Sequence, residues 1–420
     1  MTRKAPLSIT QRLALRLARP VDPAARDRAR LHLLDWLACV AGARRSPVAA
    51  VARAAENDAV QRAALLGNVL EMDDVDRLGR LHPGPLVWPA ALAAARDSGA
   101  TLAALLDGGV RGYEAMVTIG RMFDDAHYAR WHPSATAGGF GAAAAAASIF
   151  GLDAAQTVSA LGHAGSLAGG VWRMRHEAVM TKALHSAHVS SAGVRFARAS
   201  RHGMTGPVWI LEGEQGVFDA MVPCPRAVAD TPGWRLFDVS FKPWPACRHV
   251  HPAIDAALLL GCALADGPIL VETYGDALRF CDNPHPVTAA DAKFSLQHAV
   301  AIVATGARPA LADFEPGALP GHAAARARVT VAIAADLDAA YPAHFGARVT
   351  AGGQTARAAD ALGDPENPVD APALIAKLAT LVAWGGLATT EADAAIALSV
   401  DGDNDATVAP LIALLERWTA

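Results

Sequence analysis

Five short segments of this 420-residue chain carry acids, imidazoles and cations at spacings suited to moving protons on an anionic molecule. The first runs Glu71-Met72-Asp73-Asp74-Val75-Asp76 and is followed by His82-Pro83. Crowded carboxylates and a nearby imidazole shift one another's proton affinities, which suits acid/base work, although the same pattern also fits a solvated acidic loop. The second, Trp131-His132-Pro133-Ser134-Ala135-Thr136, sets a histidine at a helix entrance, where free backbone N–H groups can take a carboxylate. The glycines behind it, Gly138, Gly139 and Gly141, are not a nucleotide loop, because no strand precedes them. In the third, Thr181-Lys182-Ala183-Leu184-His185, Lys182 and His185 share a helical face, and a fixed ammonium can hold the charge of an enolate-like intermediate.

The fourth segment is the densest. From Phe241 to Pro252 it offers Lys242, Arg248, His249 and His251 among stiffening prolines, with Cys247 between them, a donor set matched to a di- or tricarboxylate. The fifth, Ala292-Lys293-Phe294-Ser295-Leu296-Gln297-His298, puts His298 on an otherwise apolar helix, where a core histidine is the plain alternative.

The elements that would position these residues fall into three stretches. Up to about Val208 the punctuation is helical: Asp22-Pro23 is an N-cap with proline at the first helical position, followed by Leu31, Leu34, Leu37 and Val40 as far as Gly42. Further helical segments run 90–96, 112–123, 142–150 and 154–167, and their Ala and Gly content predicts helices packed at short axial distance. Beyond Pro232-Gly233-Trp234 the character changes to α+β. Strands are expected at 269–273, 328–333, 347–350 and 354–357, the last two forming a hairpin around Gly352-Gly353, with a helix capped by Thr288 and Asp291. After Asn367-Pro368 helices return at 374–382, 391–398 and 408–418. The reading is a mainly α protein with an α+β insertion: a large all-helical domain from residues 1–238 and 367–420, and a smaller α+β lid domain from 239–366.

Composition bounds the function classes. Hydrophobic residues make up 52% and charged residues 19%, far from the disordered class. A net charge of −4 without a basic run leaves nucleic acid no landing place. The longest charge-free stretch, 137–152, is short and rich in Gly and Ala, so no membrane span is expected. The N-terminus has no apolar signal core, and a cytoplasmic location is the expectation. Five scattered cysteines without a C-x-x-C pair argue against a disulfide framework, a zinc site or an iron–sulfur cluster.

In this order the segments resemble the MmgE/PrpD family, which includes 2-methylcitrate dehydratase, cis-aconitate decarboxylase and iminodisuccinate epimerase. Leu33-Leu34-Asp35-Trp36, Thr205-Gly206-Pro207 and Ile210-Leu211-Glu212-Gly213 add to the resemblance, which covers nearly the whole chain. It implies a homodimer acting on a small polycarboxylate without cofactor or metal, in a cleft between the helical domain and the lid. The lead expectation is a lyase that dehydrates a 2-methylcitrate-like hydroxy-tricarboxylate, with an epimerase, a decarboxylase and a non-catalytic binding protein as alternatives. Carried onto this chain, the catalytic residues would be Glu71, Asp73, His82, His132 and Lys182, and substrate would bind Lys242, Cys247, Arg248, His251 and His298. Two departures are visible: Glu71-Met72-Asp73-Asp74-Val75 stands where the family resembles Asp-Phe-Asp-Asp-Thr, and His298 stands where relatives commonly carry tyrosine.

Overall fold

The computed structural model describes residues 6–177 and 179–420. The chain divides into two compact units. The larger comprises Met1–Val69, Asp73–Val239 and Asp370–Ala420, and the smaller comprises Leu70–Met72 and Ser240–Val369. The protein is mainly α, with one four-stranded sheet.

In the larger unit the Pro23–Gly42 helix begins as its sequence dictates: the Asp22 carboxylate accepts the Ala25 N–H, and Pro23 supplies a preset φ. The central helix, Pro133–Ile149, is buried from Pro133 to Ala147 and packs against Gly84–Ser98, Leu102–Arg121 and Thr181–Arg201. Its small residues permit this. A Cβ on Gly141 would stand 2.7 Å from the Cβ of Met116 and 2.9 Å from the Gly112 carbonyl, so a larger residue would push the two helices apart. Three helices start earlier than their sequence pattern indicates, at Gly84, Leu102 and Pro133 rather than near 90, 112 and 142. The reason is shared: prolines and glycines that read as breakers sit here in first turns or at close helix contacts. From the C-terminal stretch, Ala371–Trp384 packs on Pro23–Gly42, returning the end of the chain to the same core.

In the smaller unit the strands are β1 (Ile269–Thr273), β2 (Val329–Ile333), β3 (Ala347–Ala351) and β4 (Gln354–Ala358), in the order β2-β1-β3-β4. β1 and β2 run parallel, whereas β1–β3 and β3–β4 are antiparallel. Gly352 and Gly353 close the β3–β4 hairpin at φ 56° and 73°, the left-handed pair that a two-residue turn of this kind requires. The helices His251–Leu260 and Leu296–Ala304 pack together and share their core with Val271, Phe314 and Phe345. Among the described residues, no helix is long and apolar enough to cross a membrane.

Candidate active site

His82 is held from both its main chain and its ring. Residues 76–81 form a tight reversal in which Asp76 and Leu81 exchange main-chain hydrogen bonds of 2.8 and 3.2 Å, and the Asp76 carboxylate accepts the Gly79 N–H. His82 then donates its own N–H to Ser134 Oγ at 3.0 Å. Its ring Nδ1 lies 3.0 Å from the Asp74 carbonyl and 2.9 Å from Asp73 Oδ2. A carbonyl can only accept, so Nδ1 carries the proton, and in the neutral ring Nε2 is left with its lone pair. The Asp73 carboxylate flanks the same edge, placed to stabilise the imidazolium formed when Nε2 takes a proton.

Ser134 belongs to the first turn of the central helix, whose N-cap is His132, so one turn brings the two histidine motifs together. His132 is buried, and its main-chain N–H donates to the Gly170 carbonyl at 2.7 Å. Its Nδ1 meets Nδ1 of His185 at 3.1 Å, and its ring lies over Trp172 with centroids 4.5 Å apart. Burial holds His132 well below the ordinary histidine range, and the neighbouring Lys182, His185 and His82 lower it further. His132 is therefore a neutral imidazole at neutral pH. Lys182 lies half-buried in the first turn of Thr181–Arg201, and its charge acts on His132.

Behind His82 lies a polar network that sequence reasoning did not single out. Asp74 accepts the Gly84 N–H on Oδ1 at 2.8 Å, while Oδ2 accepts the Tyr113 hydroxyl and faces His32 Nδ1 at 2.7 Å. Asp35 pairs with Lys377 at 2.6 Å. Burial raises both carboxylates to about 6, against the opposing pull of Lys377 on Asp35 and of the Tyr113 and Gly84 hydrogen bonds on Asp74. One signal was present: a charged or polar residue within the apolar run of a helix, as at His32 and Asp35 between Leu31 and Val40, demands a partner.

The smaller unit gathers a second group. Glu71 sits in it, in left-handed backbone at φ 57°, with Oε2 3.5 Å from Nζ of the fully buried Lys242. Lys293, which sequence reasoning also passed over, donates from Nζ to the Leu70 carbonyl at 3.2 Å. Cys247 is lowered chiefly by a hydrogen bond from Cys281, against burial and the charge of Glu71. The remaining residues of the basic segment have local commitments. Arg248 pairs with Asp364, and His251 donates from Nε2 to the Ala246 carbonyl at 3.1 Å. His298 is a buried ring with both nitrogens engaged, Nε2 donating to the Asp313 carbonyl at 2.9 Å and Nδ1 accepting from Arg326 at 3.1 Å.

Among the described residues, the ligand atoms close enough to share a metal ion are those of His344, Asp360 and Glu366 in the smaller unit, within 4.8 Å of one another. His82, Asp73, Asp74 and His132 form no such group among those residues.

Two family models match the chain in succession. The MmgE/PrpD N-terminal domain matches residues 56–227, and the MmgE/PrpD C-terminal domain matches residues 244–401. The cis-aconitate decarboxylase of Homo sapiens is 30% identical over 183 residues, covering 40% of this chain and 37% of that protein, so the match spans little more than a third of the relative's length. With both domains matched in order across most of its length, this chain belongs to the MmgE/PrpD family.

Proposed function

We propose that this protein is a lyase acting on a small polycarboxylate, in which His82 removes a proton from the carbon next to a carboxylate. The observation that carries this reading is the Nδ1 contact of His82 with the Asp74 carbonyl, which leaves a basic Nε2, with the Asp73 carboxylate 2.9 Å from the protonated edge. Nε2 takes the proton, the C–H electron pair becomes the enolate-like dianion, and Lys182 offsets its charge. Collapse of that intermediate breaks the C–O bond and leaves a carbon–carbon double bond, and the departing hydroxyl of a 2-methylcitrate-like hydroxy-tricarboxylate takes the proton held on the His82 imidazolium and leaves as water. His132, neutral by burial, takes part as a hydrogen-bonding imidazole rather than as a strong acid.

A second reading, decarboxylation, is favoured by the similarity to cis-aconitate decarboxylase. The carbon dioxide lost then leaves the electron pair behind, and a proton is delivered instead of removed.

A homodimer belongs to the same reading, and the exposed apolar side chains Leu167, Val171, Met180 and Leu184 are its candidate contacts.

The test is a panel of citrate, 2-methylcitrate, cis-aconitate and iminodisuccinate analogues followed by NMR in deuterated water. Elimination without loss of carbon dioxide, retained in chelator and reduced about 100-fold or more in His82→Gln and Asp73→Asn, is the expected result. Exchange of the substrate proton without elimination would mean an epimerase. Full activity in both variants would refute the assignment of His82.

A further inference from the structure

The reading above assigns the chemistry to His82 and its tautomer to the Asp74 carbonyl, and leaves unexplained what holds that carbonyl in place. We propose that Asp74 is the positioning residue of His82, locked in that task by His32 and Tyr113; the inference rests on the reading of His82 as the base.

One residue grips the His82 segment at two points. The Asp74 main-chain carbonyl accepts the ring Nδ1–H at 3.0 Å, and its carboxylate accepts the N–H of Gly84, two residues further along, at 2.8 Å. Pro83 joins the two points with a fixed φ. The approach is close enough to constrain the sequence: a Cβ on residue 84 would stand 2.8 Å from Asp74 Oδ1 and 3.1 Å from the Tyr113 oxygen, so glycine is required there. If residue 74 rotates or withdraws, the carbonyl leaves the ring and Nδ1 keeps only the flanking Asp73 carboxylate, so the hold on its proton weakens.

The carboxylate is itself held by neighbouring groups, and for Tyr113 the direction of the bond is forced. Trp88 Nε1 can only donate, and it does so to the Tyr113 oxygen at 3.1 Å, so the Tyr113 proton is directed at Asp74 Oδ2. Burial together with Asp74 holds Tyr113 well above the ordinary phenol range, so it keeps that proton. Burial keeps His32 neutral, and its Nδ1 lies 2.7 Å from the same oxygen. Groups from three separate helices, Pro23–Gly42, Gly84–Ser98 and Leu102–Arg121, thus meet the two oxygens of the Asp74 carboxylate. None of His32, Tyr113 or Trp88 needs to touch a substrate to affect His82.

The experiment reads the His82 tautomer directly, by two-bond proton–nitrogen NMR of histidine-labelled protein, with His82→Gln supplying the assignment. Wild type should show the Nδ1–H form. Asp74→Asn keeps an acceptor for Gly84 but turns an amide donor toward His32 and Tyr113; it should convert His82 to a mixture containing the Nε2–H form. Tyr113→Phe keeps the ring and removes one donor, and should do so in part. His32→Phe should resemble Asp74→Asn, while His32→Asn, which restores an N–H, should recover much of the wild-type signal. Where a substrate is turned over, kcat should fall about 10- to 100-fold with KM nearly constant. The tautomer measurement needs no substrate, so it decides the proposal even if the proposed reaction fails. An unchanged Nδ1–H signal in folded Asp74→Asn, or in folded Tyr113→Phe and His32→Phe should Asp74→Asn not fold, overturns it.

Discussion

Nζ of Lys242 and Oε2 of Glu71 stand 3.5 Å apart with both side chains withdrawn from water, and Glu71 reaches this position from left-handed backbone at φ 57°. Such a conformation costs a non-glycine residue on the order of 1 kcal/mol or more, so the contacts of Glu71 must outweigh it. A buried ion pair loses several kcal/mol when one partner is removed, because the remaining charge keeps its desolvation cost. Glu71→Gln should therefore destabilise the protein by roughly 3 kcal/mol in urea unfolding. Adding Lys242→Met should restore part of that loss, with a coupling energy above about 1 kcal/mol in the double-mutant cycle. Coupling near zero would mean the two charges do not depend on each other.

The neutral state of His132 has separable causes. Burial is the largest, and the positive charge of Lys182 is the next. Removing a cation favours the protonated imidazole, so Lys182→Met should move the His132 titration upward. It should still stay below the ordinary histidine value, because burial persists. An NMR titration of the ring in the variant checks both the direction and the limit. A downward shift, or none, would show that Lys182 does not act on this ring.

Much of the fold could be read from the chain because its signals are local. Asp22-Pro23, the Thr288 and Asp291 capping box, and the Gly352-Gly353 turn each fix backbone geometry within a few residues, and all three are present where their chemistry puts them. Helix starts near 84, 102 and 133 were obscured because proline and glycine signal a break or a close contact with the same letters. The candidate site was legible only where its residues sit in compact motifs. His82 and His132 stand out beside prolines, whereas His32, Asp35, Tyr113 and Lys377 meet across separations that no linear pattern encodes. Within the basic segment, sequence could not distinguish Lys242 from Arg248, whose charge is committed to Asp364 more than 100 residues away.

Leu184 offers a test of assembly. It is 59% exposed on the Thr181–Arg201 helix, one residue from His185, and Met180 and Leu167 are exposed at 51% and 72%. If these side chains meet a second copy, light scattering should give twice the mass of the chain. Leu184→Glu, which places a charge in that contact, should lower the mass toward that of one chain or make the association concentration-dependent. A wild-type protein that scatters as a single chain at all concentrations would remove the dimer from the proposal.

His298 carries a stability prediction with a definite sign. Its ring is lowered to about 4, chiefly by burial, with Arg326 and His322 acting in the same direction against the Asp313 carbonyl. In the unfolded chain the same group titrates near the ordinary histidine value of 6.5. Between these values the unfolded chain binds a proton that the folded ring refuses, so stability falls as pH drops from 6.5 toward 4. Asp35 and Asp74 work in the opposite sense. Raised to about 6 from 3.8, they hold protons in the folded state that the unfolded chain has released, and they favour the fold as pH falls through the same window. The net slope is thus a sum of opposed terms, and a difference between variants isolates one of them. His298→Gln can still donate to the Asp313 carbonyl and accept from Arg326, so its loss at pH 7 should be limited to about 1–2 kcal/mol. Because glutamine does not titrate, the variant should lose less stability than wild type between pH 6.5 and 4, and the two denaturation curves should converge at the acid end. Parallel curves across that range would show that the proton affinity of His298 is the same in the folded and unfolded chain.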